Sequence, residues 1–118
     1  MAPQQDPEAL LPLRPVELLL LTMLARGQRH GYGLRQDILE HTGGRTAVEA
    51  GNLYRHIRRL EDARLVSEAP APRTDTDERR IYYKLTPLGR RVLTAELRRL
   101  QALVRLAERH RIIAPVRP

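Results

Sequence analysis

The densest apolar run in the chain, Leu18 to Leu21 with Met23 and Leu24, opens just after Pro15 and closes at Gly27. Proline is favoured in the first turn of a helix and glycine just past its end. Residues 15–26 therefore predict a helix, and because it is apolar on nearly every side it belongs at the centre of the core. After a turn at 27–30, Leu34, Ile38 and the terminal His41 recur at helical spacing until the pair Gly43 and Gly44. A second helix over 31–41 follows. Residues 46–49 form a short extended approach to a third helix, 50–64. There, at about 100° per residue, Leu53, Ile57 and Leu60 fall within roughly 60° of one another, with Ala50 and Tyr54 on the flank.

Leu65, Val66 and Ser67 turn extended, with weak alternation into Glu68 and Ala69, and residues 80–85 have strand composition. Between them lie Pro70, Pro72 and the polar run 73–78, so the pair reads as a hairpin with a long projecting tip. Tyr82 and Tyr83 are strand neighbours and should face opposite ways, one in the core and one partly exposed. Thr86 before Pro87 is a helix cap, and the pattern after it continues to residue 112, about 39 Å of helix. Leu93, Leu97, Leu100, Val104 and Ala107 recur there in steps of 4, 3, 4 and 3, and Leu103 and Leu106 widen the stripe. This is the seam spacing of a coiled coil. It predicts a homodimer through Leu93, Leu97, Leu100, Leu103, Val104 and Ala107. Residues 1–13 carry Pro3, Pro7 and Pro12 and read as a mobile arm whose docking groups are Leu10, Leu11 and Leu13; residues 113–118 read as a frayed tail.

With 118 residues the chain predicts one domain of modest core. Aromatic residues are 3%, so that core is built from Leu, Ile, Val and Ala, which suits helices. A net charge of +7 fits a polyanionic partner, whether nucleic acid, ribosome or membrane surface. Twenty arginines stand against the single Lys84; a GC-rich genome accounts for the larger share of that excess. What changes the picture is where they fall. The outward side of the third helix carries Gly51, Asn52, Arg55, Arg58, Arg59 and Asp62, with Arg55 and Arg59 as like charges four apart. Glu61 and Asp62 occupy the last turn, where the helix dipole disfavours them, and the first turn is open to an anion. A phosphate backbone relieves both conflicts.

The absence of Cys excludes disulfides, thiolate metal sites and thiol redox chemistry. His30, His41, His56 and His110 share no metal-ligand spacing, Ser67 lies in no nucleophile motif, and there is no Gly-rich phosphate loop. No catalytic residue, cofactor or metal is expected, and the chain does not read as an enzyme. No apolar stretch approaches the roughly 20 residues of a membrane span. The N-terminus lacks the basic region of a secretion signal. A soluble cytoplasmic protein is expected.

Helix, helix, basic helix and hairpin, closely spaced and in that order, are the layout of a winged helix-turn-helix domain. The expected fold is mainly α with a small β-hairpin: this domain over 14–86, then a long C-terminal dimerisation helix over 87–112. Its third helix would enter the major groove of an operator duplex, with Asn52 and Arg55 at base edges and Arg58 and Arg59 at bases or flanking phosphates. Arg73, Arg79 and Arg80 of the loop would meet phosphates, while Asp75, Asp77 and Glu78 argue against deep insertion of its tip. A winged-helix module that binds RNA or a protein is the alternative. A leucine-rich dimer interface has room for a small apolar effector, although the sequence names no polar group to orient one.

Three segments, HGYGLRQDI at 30–38, GNLYRHIRRLEDARLV at 51–66 and RRIYYKLTPLGRRVL at 79–93, resemble the PadR family of bacterial transcriptional regulators. The resemblance covers residues 14–110. It implies a winged-helix repressor dimerising through its C-terminal helix, of the short subfamily with a single such helix. It also implies that Tyr54 lies close to the DNA backbone and that Arg79 and Arg80, opening a strand, face DNA. Three positions depart from the family pattern: Asn52 stands where Ser or Thr is usual, Arg55 where Pro is, and Arg64 where Gly is. The chain has no Trp, so the Trp-lined ligand site of some relatives is not carried over.

Overall fold

The computed structural model describes residues 6–116. Its elements are α1 (Pro15–Leu24), β1 (Arg29–His30), α2 (Gly31–His41), α3 (Ala50–Asp62), β2 (Val66–Ala69), β3 (Tyr82–Leu85) and α4 (Pro87–Arg109), preceded by a 3-10 turn at Pro7–Leu10. Helix α1 touches α2, α3, α4 and β3, the central place its apolar run predicts. Leu20 and Leu21 are wholly buried against Leu34 and Ile38 of α2, Leu53, Ile57 and Leu60 of α3, and Val92 of α4. Burial of such a set supplies the main stabilisation, about 1.5–3 kcal/mol for each side chain removed from water.

Helices α2, α3 and α4 end in the same way. After α3, the Leu65 amide donates to the Leu60 carbonyl (2.9 Å) and the Arg64 amide to Glu61 (2.9 Å), with Arg64 at φ +63°. This is a left-handed cap that satisfies the last carbonyls. Gly43 (φ +61°) does the same after α2 and Arg111 (φ +59°) after α4. The cap at Arg111 explains why α4 stops at Arg109, short of the residue 112 its apolar pattern reaches.

The sheet corrects part of the sequence expectation. It has three antiparallel strands in the order β1-β3-β2, with His30 opposite Tyr82 and Arg29 opposite Tyr83. Residues 29–30, expected only as a turn, form the extra strand; two residues are too few to carry an alternation signal. β3 begins at Tyr82, so Arg79 and Arg80 lie in the loop before it. Being central, β3 has both tyrosines covered, at 8% and 5% exposure, against the expectation of one in and one out. Tyr83 joins the main core, and burial pushes its hydroxyl up to about 12. Tyr82 meets His30 edge-on (5.3 Å between ring centres) and donates to Asp75 Oδ2 (2.5 Å).

Thr86 caps α4: its Oγ1 accepts from the Gly89 amide (2.9 Å) and donates to the Arg64 carbonyl (2.7 Å). Leu93, expected at a dimer interface, is buried in this chain's own core because the first turns of α4 pack on α1 and β3. The uncovered stripe starts at Leu97 (45% exposed) and continues through Leu103, Val104 and Leu106, with Leu100 and Ala107 half-buried.

Where a mobile arm is expected, residues 6–13 lie along α4 with Leu10, Leu11 and Leu13 against the core. The buried Glu96 holds them, accepting from the Leu13 amide (2.7 Å) and from Arg99 Nε (2.5 Å). The Arg99 bond, with the Leu13 amide, keeps the Glu96 carboxyl below its ordinary range against the opposing effect of burial. Residues 1–5 of that arm and residues 117–118 of the expected tail lie outside the described residues.

Candidate nucleic-acid interface

Around α3 the polar side chains leave the core in three directions. Asn52 and Arg55 point outward and are exposed. Tyr54 and Arg58 turn toward the wing, the loop between β2 and β3. His56 and Arg59 turn toward α1, where both meet Glu17 Oε2, His56 Nδ1 at 2.7 Å and Arg59 Nε at 3.1 Å. Glu17 is only 5% exposed, so these two partners satisfy a carboxyl that has little access to water. Arg59, expected among the outward readers, is therefore drawn to α1.

On the other flank, α3, the start of α2 and residues 77–81 enclose a cleft of about 570 Å³. Tyr32, Tyr54, Arg58, Arg79, Arg80 and Ile81 line it. The local reason is legible in HGYG. His30 Nδ1 accepts from the Gly33 amide (2.9 Å) and caps α2. A Cβ on Gly31 would stand 2.6 Å from the Tyr54 hydroxyl, and one on Gly33 would collide with the Arg29 side chain at Nε. Gly31 thus lets Tyr54 lie across the start of α2, and Gly33 lets Arg29 reach Asp37 (3.1 Å). His30 is held below its ordinary value by burial first, then by Arg80 and Arg29, which suits a neutral acceptor. Tyr32, at the start of α2, is 57% exposed, and its hydroxyl accepts from Gln36 Nε2 (2.9 Å).

The wing is built by its own acids. One turn joins the Asp75 amide to the Pro72 carbonyl (3.0 Å), with Arg73 exposed at its apex, and a second joins Arg80 to Asp77 (3.2 Å). Asp75 accepts from Tyr82, from the Asp77 amide (2.9 Å) and from Arg80 (3.5 Å). Asp77 accepts from the Arg79 amide (3.0 Å) and from its side chain (3.3 Å). The Tyr82 hydroxyl on Asp75 and the Arg79 amide on Asp77 lead in holding both carboxyls below the usual range. Arg79 and Arg80 are therefore paired within the loop.

Arg55, Arg58 and Arg73 make no ion pair among the described residues. Glu17 is the residue that sequence reasoning missed. Its signal is present: it is the only charge in an otherwise apolar helix. Among the described residues no group of three His, Cys, Asp or Glu is placed to hold a metal, and no helix is long and apolar enough to cross a membrane.

Comparison with known proteins agrees with this architecture. The profile described as "Transcriptional regulator PadR-like family" matches residues 20–95. The transcriptional regulator Rv3488 of Mycobacterium tuberculosis is 41% identical over 91 residues, 76% of this chain and 79% of that protein. A PadR family transcriptional regulator from Eggerthella lenta superposes with a TM-score of 0.64 at 28% identity, covering 80% of this chain and 79% of that one. Bacillus subtilis PadR, solved in complex with operator DNA, superposes with a TM-score of 0.60 at 21% identity, covering 71% of this chain and 48% of that one. The winged helix-turn-helix arrangement, the three motif segments and the family match together establish that this chain is a member of the PadR-like family of transcriptional regulators.

Proposed function

We propose that the protein is a sequence-specific DNA-binding repressor that acts as a homodimer. α3 lies in the major groove and the wing tracks the neighbouring backbone. The observation that carries this reading is the surface on which Asn52 and Arg55 stand exposed beside the cleft of Tyr54, Arg58, Arg79 and Arg80. Asn pairs with adenine and Arg with guanine at base edges, so Asn52 and Arg55 are the readers and Arg58 reads or anchors. Tyr54, Arg73, Arg79 and Arg80 face phosphates, which position without specifying. The operator-bound relative supports this use of the fold.

The stripe from Leu97 to Ala107 supports the dimer, because apolar side chains exposed along a long helix gain by covering one another. Two copies would then engage half-sites about one helical turn apart. Selection of bound fragments from the protein's own genome tests the reading. Enrichment of defined sites, with its own upstream region expected among them, and derepression of the adjacent genes on deletion are the expected results; no enrichment over random fragments overturns it. For the dimer, Leu97→Glu with Val104→Glu should give a monomer by sedimentation and lose operator affinity. A native protein that is already monomeric at micromolar concentration rejects that part.

A further inference from the structure

Glu17 lies on the opposite side of α3 from the wing cleft and takes no part in the interface proposed above. It is 5% exposed, it is the only charged residue of α1, and its Oε2 receives both His56 Nδ1 (2.7 Å) and Arg59 Nε (3.1 Å). We propose that Glu17 is a positioning residue that limits how many arginines of α3 are available to DNA: by holding Arg59 against α1 it withdraws that guanidinium from the outward face. The proposal rests on the DNA-binding reading above.

The asymmetry of burial decides where Arg59 stays. Glu17 has little access to water, so losing Arg59 would leave a buried carboxylate with His56 alone, a costly state. Arg59 itself has a side chain 49% exposed, and a phosphate contact there forms in competition with water and salt, where an ion pair is weak. The bond to Glu17 is the stronger claim. Arg55, by contrast, has no acidic partner among the described residues and stands on the same outward side. Each arginine freed to a phosphate strengthens binding to every sequence equally, so it raises competition from random DNA and lowers the ratio on which specificity depends. Withholding Arg59 therefore favours discrimination by Asn52 and Arg55, and the tie also sets the roll of α3 against α1.

The test measures binding of a 25-base-pair random duplex from about 50 to 300 mM salt for the native full chain, Glu17→Gln, Arg59→Gln and the double variant. Gln preserves size and removes charge. Glu17→Gln should bind random duplex about five- to fifteen-fold tighter near 50–100 mM salt, with the logarithmic salt slope steeper by about 0.9 for each protomer engaged. Arg59→Gln alone should leave the native slope unchanged, and in the double variant it should return the slope to the native value. A merely structural role for Glu17 would lower the melting temperature without steepening the slope.

An unchanged slope in folded Glu17→Gln overturns the proposal, as does a shallower slope in Arg59→Gln, which would mean Arg59 already sits on phosphate. Should Glu17→Gln lose its cooperative melting transition, the slope of Arg59→Gln on the native background decides alone. If the native protein shows no salt-dependent duplex binding, the DNA-binding reading falls and takes this proposal with it. That result is distinct from native binding with no response to Glu17→Gln.

Discussion

Among the described residues, α3 and the wing differ in how many of their arginines are held: Arg59 alone is paired on α3, whereas Arg73 alone is unpaired on the wing. On α3, Arg55 and Arg58 have no ion pair among the described residues; on the wing, Arg79 and Arg80 are bonded to Asp77 and Asp75 of the same loop. The reason lies in the backbone. A helix satisfies its own peptide groups and holds its side chains on a rigid frame. The wing has two turn bonds of its own, from Asp75 to Pro72 and from Arg80 to Asp77, so its side chains supply the remaining order. A helix can thus keep most of its arginines for a partner, whereas the loop uses Arg79 and Arg80 for its own order.

The largest effect that would test this contrast is on base reading. Arg55→Ala should cost about 1–3 kcal/mol on the selected operator and much less on random duplex, whereas Arg79→Ala should weaken both equally and reduce the salt slope by about one. Equal losses for both variants on both DNAs, measured by titration, would erase the proposed division. A smaller effect should follow from loosening the wing. Asp77→Asn removes the charge that competes for Arg79, so duplex affinity should rise about two- to five-fold with the salt slope little changed, since Arg79 already counts toward it. Faster limited proteolysis within residues 70–81 should accompany it, and a drop in affinity would mean that bracing matters more to DNA than the freed charge.

The joint between the two regions provides a third test. Arg64 sits at φ +63°, a conformation that costs an L side chain energy and that glycine adopts freely. Arg64→Gly should stabilise the protein by about 0.5–1 kcal/mol. That is a rise of a few degrees in melting temperature with DNA affinity unchanged.

The smallest effect is on pH dependence. His30 is depressed below its ordinary 6.5 as a neutral acceptor. Its contribution is complete above 6.5 and is lost as pH falls through the lower folded value, because the unfolded chain takes up the proton first. Asp75 and Asp77 lie below their ordinary 3.8 and stay ionised across that window. The denaturation midpoint should therefore fall modestly between pH 7 and pH 5, and His30→Asn, which preserves a capping acceptor, should flatten that fall. A wing that loosens over the same range, seen as new protease sensitivity, would contradict the assignment of its bracing to these two carboxylates.

Much of the fold was legible because it is written locally. The limits of α2, the Thr86 cap and the Leu53, Ile57 and Leu60 stripe depend on residues within a few turns of one another. Of the proposed DNA contacts, Arg55 and Arg58 could be read from the helix period alone. The misread positions share a different property. β1, the burial of both Tyr82 and Tyr83, the inward turn of Leu93 and the capture of Arg59 each depend on an element distant in sequence. Arg59 and Glu17 are 42 residues apart, and no period within α3 distinguishes Arg59 from Arg55.

By itself, then, the amino-acid sequence determined the helices, the Thr86 cap, the apolar stripe of α3, the basic side opposite it and the family. Periodicity and capping act over one or two turns and need no partner. Tertiary structure alone decided that Arg59 of α3 is held while Arg55 and Arg58 make no ion pair among the described residues. A guanidinium's availability depends on whether a carboxylate stands within about 4 Å of it; Asp75 and Asp77 reach Arg79 and Arg80 within the turns of the wing itself, whereas only the packing of α1 on α3 brings Glu17 to Arg59.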